Sequence, residues 1–94
     1  MQAPTTATAC AAIVNARGLH ARPCHALVRR SLELSGQVEI ACEGRSANGK
    51  SILELMTLCA GLGAVLEFRA SGDGAHELVR SLVGLVEAGF QETD

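Results

Sequence analysis

Gly18-Leu19-His20-Ala21-Arg22-Pro23 is the stretch from which the rest of this chain can be read. A short apolar run precedes it, and apolar residues recur at helical spacing after it, so His20 falls where a strand ends and a helix begins. Pro23 fits the first turn, where no backbone donor is required. The start of a helix leaves backbone N–H groups without intrahelical acceptors and carries partial positive charge, which attracts anions. Arg22 adds a permanently charged, planar donor at the same place. His20 is the nucleophile of the group, since an imidazole nitrogen can offer its lone pair. Nucleophile, anion cradle and cation together imply a histidine that accepts a phosphoryl group and passes it on. A capping histidine and a solvated arginine account for the same six residues, so the decision falls to the rest of the chain.

Upstream, residues 1–7 read as a flexible lead-in and residues 8–94 as one domain. Residues 8–14 form a first strand with Ala9, Ala11 and Ile13 inward, and Asn15-Ala16-Arg17-Gly18 is a turn by composition. Downstream, residues 21–34 are helical, with Cys24, Leu27, Val28, Ser31 and Leu34 as the buried stripe. Arg29, Arg30 and Glu33 fall largely off that stripe and are expected to be solvated, and Gly36 is expected to end the helix. Residues 37–42 alternate, with Val38, Ile40 and Cys42 on one face; Glu43-Gly44 is a tight turn and residues 45–48 a short return strand. A second helix spans 52–59, where Ser51 and Glu54 have capping-box spacing. Gly61-Leu62-Gly63 breaks it. Residues 64–70 alternate as the clearest strand, 71–74 turn, and 75–89 form a last helix with Leu78, Val79, Leu82, Val83 and Val86 inward. The order is βαββαβα. Strands that are apolar on one face only require an antiparallel sheet covered by helices on one side, an α+β domain.

Ninety-four residues support one modest core. With 48% hydrophobic and 19% charged residues the chain is globular, and with two phenylalanines its core must be aliphatic. A net charge of −2 without a basic block argues against nucleic acid as a partner. No apolar run approaches the roughly 20 residues of a membrane span, and the first residues lack the pattern of a signal peptide, so a cytoplasmic location is expected. Cys10, Cys24, Cys42 and Cys59 have no zinc-site spacing and read as reduced, buried small hydrophobes. No cofactor or metal is expected.

Gly18-Leu19-His20-Ala21-Arg22-Pro23 resembles the signature of HPr, the histidine-containing phosphocarrier of the bacterial phosphoenolpyruvate-dependent phosphotransferase system. Gly49-Lys50-Ser51-Ile52 through Leu58, Gly63-Ala64 and the Ala70-Ser71-Gly72-Asp73 turn resemble the rest of that family's pattern, over roughly residues 8–90. The resemblance implies an open-faced β-sandwich with four antiparallel strands and three helices on one face. It implies that His20 takes phosphate from enzyme I and delivers it to sugar-specific IIA domains, usually through Nδ1, with Arg22 assisting. It further implies that Ser51 is a regulatory phosphorylation site for an ATP-dependent kinase, and that Ile52, Leu53 and Met56 dock partners, together with Ala21, His25 and Arg29. The implied state is a monomer. Departures are Cys24 where the family most often has alanine, His25 after it, and Gly49 where leucine is common; they leave the sugar-transport and nitrogen-related branches both open.

Two other readings use the same residues. A regulatory binding module would act through phosphorylated Ser51 and the Ile52/Leu53/Met56 patch, engaging a transcriptional regulator; His20 beside Arg22 argues against that as the sole role. A metal site from His20, Cys24 and His25 has workable i, i+4 spacing for the first two only.

Overall fold

The computed structural model describes residues 5–91. Its elements run β1 (Thr6–Ala12), α1 (Ala21–Ser31), β2 (Gln37–Cys42), β3 (Arg45–Asn48), α2 (Ile52–Met56), β4 (Val65–Ser71) and α3 (Ala75–Glu87), followed by a 3-10 turn, Gly89–Gln91. The strands form one antiparallel sheet in the order β1-β4-β2-β3. Alternation decides the layers. Val38, Ile40 and Cys42 of β2 and Leu66, Phe68 and Ala70 of β4 are buried, while Glu39, Val65, Glu67 and Arg69 face away from the core. Phe68 is paired with Ala9 on one side and Ile40 on the other, so the core's one buried aromatic sits between a small and a branched neighbour. The helices supply Leu27, Val28, Leu55, Leu78, Val79, Leu82 and Val86 to the same apolar layer. This is the α+β open-faced arrangement expected from the sequence.

Several boundaries differ, each for a local reason. β1 begins at Thr6 because β4 extends to Ser71 and offers it a partner, so Thr6 and Ala7 belong to the sheet and not to a lead-in. Residues 1–4 and 92–94 of the expected lead-in and domain lie outside the described residues. Ala7, Ala11 and Ile13 are buried, and Ala9 only partly. α1 stops at Ser31, after which Glu33 and Leu34 donate to Arg30 O and Ser31 O, three residues back, in a tightening last turn. Leu34 nevertheless completes the buried stripe. Arg30 is not a purely solvated cation: its Nη1 donates to Ser81 Oγ and ties α1 to α3. Ser31 Oγ is buried without a partner among the described residues, at a cost of about 1–3 kcal/mol.

Gly36 does not end α1; Leu32 is the C-cap. A Cβ on Gly36 would stand 1.7 Å from Ser71 O, so the glycine is there to let the α1–β2 connection lie against β4. Lys50 Nζ secures the same connection, donating to Leu34 O and, at 2.7 Å, to Gly36 O. α2 is shorter than expected because Leu58 and Cys59 continue with i→i−3 bonds to Leu55 O and Met56 O. Cys59, at φ +51, makes a left-handed exit ahead of Gly61-Leu62-Gly63, where the helix break was expected.

Gly36→Ala should destabilise the protein by about 2–3 kcal/mol, because backbone must separate from backbone. Gly84→Ala, in α3 with nothing within 4 Å of the added methyl, should stabilise it by about 0.5–1 kcal/mol. Urea unfolding of the two variants measures both shifts and their opposite sign.

Candidate functional site

The site is built at the entry to α1. Asn15 O accepts from Gly18 N–H (3.2 Å), which closes the turn after β1. Gly18 adopts φ +66, and a Cβ there would meet Ala60 O at 2.5 Å and Gly61 Cα at 2.8 Å. Only glycine permits this seating. Leu19 then drops its side chain into the core and donates its N–H to Ala60 O at 2.9 Å. The next residue, His20, is half-buried. His20 is the N-cap of α1, extended at φ −87, ψ −173; its carbonyl accepts from Cys24 N–H (3.2 Å) and its side chain makes no capping bond.

In α-helical geometry the N–H groups of Ala21 and Arg22 precede the first intrahelical acceptor, and Pro23 supplies none. Both residues are exposed. The first turn contains no acidic side chain, and Arg29 and Arg30 occupy the last turn, so no carboxylate of the helix competes for an anion beside His20. The arrangement can hold a dianionic group on the imidazole between two backbone donors and the Arg22 guanidinium while leaving the outer side open to a partner.

Cys24 lies one turn further, fully buried, with Sγ 3.8 Å from Leu19 O. Burial pushes its thiol up to about 11 and outweighs the helix N-terminus, which acts in the opposite direction. Cys42 is also raised, by burial and then by Glu43 and Glu67. Cys10 and Cys59 are exposed, contrary to the expectation that all four cysteines are buried. Cys10 occupies the outward face of β1 opposite Glu67, and Cys59 the exit of α2. The His20/Cys24/His25 triad is not assembled, since Cys24 points inward and His25 is exposed. Among the described residues no group of three or more His, Cys, Asp or Glu is placed to hold a metal ion.

Ser51 caps α2, its Oγ accepting from Glu54 N–H at 3.2 Å. The return half of the capping box goes elsewhere: Glu54 Oε1 accepts from Asn48 N–H (3.0 Å), because Ser51 N–H is already given to Asn48 O (3.0 Å). Ser51 thus stands at the end of α2 opposite to Ala60, which carries Leu19. Leu53 is 80% and Met56 42% exposed, an apolar surface on α2, whereas Ile52 is half-buried against the core. Leu62 is 62% exposed, in a turn whose composition marks only a helix break. Asn15, by composition only a turn residue, is buried, and its Nδ2 donates to Gly18 O at 2.9 Å. Its two-residue separation from buried Ile13 was the available signal.

Sheet, helices and a histidine at the entry to α1 make a small α+β domain of the kind expected for a phosphocarrier. Residues 7–88 match the family described as the PTS HPr component phosphorylation site. The chain belongs to the HPr family. Phosphocarrier protein HPr of Xylella fastidiosa is 34% identical over 80 residues, covering 85% of this chain and 90% of that protein. The structure of HPr-C-His from Thermoanaerobacter tengcongensis superposes with a TM-score of 0.87 at 33% identity, over 94% of this chain and 99% of that one. An HPr dimer from the same organism gives 0.72 at 36% identity, over 85% and 92%. Among the described residues no helix is long and apolar enough to cross a membrane.

Two measurements address Cys24. In the native protein at pH 8, alkylating reagents should modify Cys10 and Cys59 readily and Cys24 only on unfolding. Because folding raises this pKa, its contribution to stability is complete below pH 9 and is lost as pH rises through about 11. The loss should be on the order of 2–3 kcal/mol, and a Cys24→Ala variant should lack that part of the alkaline decline.

Proposed function

We propose that the protein accepts a phosphoryl group on His20 from phosphorylated enzyme I and delivers it to IIA components of the phosphotransferase system, acting as a monomer in the cytoplasm. The observation that carries this is His20 at the head of an eleven-residue helix whose first turn has an arginine and no acid. A ring nitrogen of His20 forms the new N–P bond as the bond between phosphorus and the donor breaks. The same displacement in reverse sense hands the group to the acceptor. Between the two steps the Ala21 and Arg22 N–H groups and the Arg22 guanidinium hold the phosphoryl oxygens. The family membership supports the reading, and so does the exposure of Ala21, Arg22, His25 and Arg29 around the histidine.

Partners dock, in this proposal, on Leu53 and Met56 with the flank of Ile52 and with His25 and Arg29 of α1, which packs beside α2. A flexible thioether such as Met56 adapts to several binding faces. Ser51 is proposed as a regulatory phosphorylation site for an HPr kinase. A phosphate there remains compatible with the cap and places about −1.5 to −2 of charge next to the docking surface rather than at His20. The second reading, a regulatory module binding a transcriptional regulator, draws on the same exposed Leu53 beside Ser51. The two differ in whether His20 is labelled, and sugar-transport and nitrogen-related branches differ in the acceptor.

His20→Ala should abolish acid-labile ³²P labelling from phosphoenolpyruvate through enzyme I while leaving the fold intact. Undiminished labelling would move the acceptor to His25 or His76. Ser51→Asp should slow uptake by His20 several-fold with little change in melting temperature, since a carboxylate also caps a helix. Wild-type uptake rates would place the docking surface elsewhere.

A further inference from the structure

We propose that Asn15 is a positioning residue for phosphoryl transfer, acting on His20 through the Gly18–Leu19 peptide; this rests on the carrier function proposed above. Asn15 is 2% exposed, at the base of the turn that delivers His20. A buried amide N–H is costly unless it is paired. Its Nδ2 donates to Gly18 O (2.9 Å), while its own backbone O accepts from Gly18 N–H (3.2 Å), so one residue grips Gly18 from both sides.

The peptide unit between Gly18 and Leu19 is consequently clamped at each end. Its carbonyl is held by Asn15 Nδ2 and its N–H by Ala60 O at 2.9 Å. The same Gly18 carbonyl accepts from His20 N–H at 3.1 Å, an i→i+2 contact that fixes the backbone from which the imidazole projects. Gly18, with φ +66 and no Cβ, supplies no side-chain resistance to rotation of this peptide. Removing the Nδ2 donor leaves the carbonyl held only by the His20 N–H, so it can tilt toward the entry of α1, where its oxygen would oppose a phosphoryl dianion and its rotation would tilt His20. Displacements near 1 Å at a reacting group cost up to about a hundredfold in rate. Asn15 is itself covered, on the side of Gly89, and is not among the exposed residues of α1 and α2 proposed for docking, so its effect belongs in the transfer step rather than in partner affinity.

The test is steady-state phosphorylation by enzyme I at pH 8, varying the concentration of this protein. Asn15→Ala lacks the donor; Asn15→Asp is nearly isosteric and, ionised, cannot donate. For both, the saturating rate should fall about tenfold, with KM within about twofold of wild type, after correction for the folded fraction. A wild-type saturating rate in either folded variant, or a change in KM alone, overturns the proposal. In the wild-type protein the Asn15 side-chain amide protons should be protected from exchange; exchange as fast as in an exposed asparagine overturns it without any variant. Labelling of His20→Ala at the wild-type level would instead overturn the carrier function itself, whatever the Asn15 variants do.

Discussion

The hydrogen bond from Leu19 N–H to Ala60 O, 2.9 Å long, joins two parts of the chain that the rest of the structure must bring together. One is the crossing from β1 to α1, which carries His20; the other is the exit from α2 toward β4. The bond forms only because Gly18 rests on Ala60 and Gly61 at distances no side chain tolerates. Leu19 is buried and His20 half-buried, so of two adjacent residues one anchors the loop by apolar burial and the next opens the helix. The position of His20 is therefore a property of α2 and the sheet as much as of its own helix.

Charge is distributed to match. α1 contains no acidic residue and carries Arg29 and Arg30 in its last turn, so its dipole is satisfied at the C-terminal end, while Arg22 adds to the positive end beside His20. Cys24, which a helix N-terminus alone would acidify, is kept neutral by burial. The thiol one turn away from His20 is thereby withdrawn from this end of the molecule. α2 combines a capped start at Ser51 with an apolar outer surface at Leu53 and Met56, while Leu55 holds it to the core.

Element order and facing were legible because burial of one sheet face leaves a strict period of two, and β2 and β4 show it without exception over their central residues. The stripe of α1 was legible for the corresponding reason at a period of 3.6. Element ends were less so. Whether α1 ends at Ser31 or Leu34 depends on i→i−3 bonds that leave no mark on the apolar pattern, since Leu34 is buried either way. Gly36 has the composition of a helix stop, yet its reason is Ser71, thirty-five positions away along the chain. Cys59 in a left-handed conformation contradicts local propensity outright.

The sequence by itself determined the class of fold, the histidine with its arginine at a helix entry, and the serine cap of α2, because each follows from periodicity or from short-range backbone chemistry. The tertiary structure alone decided what supports them. Asn15 against Gly18, Leu19 against Ala60, Lys50 against the α1–β2 connection and Arg30 against Ser81 are contacts whose partners are set by packing. Side-chain donors and backbone acceptors carry no periodic signal, and which of them meet is fixed only when the apolar layer between sheet and helices has closed.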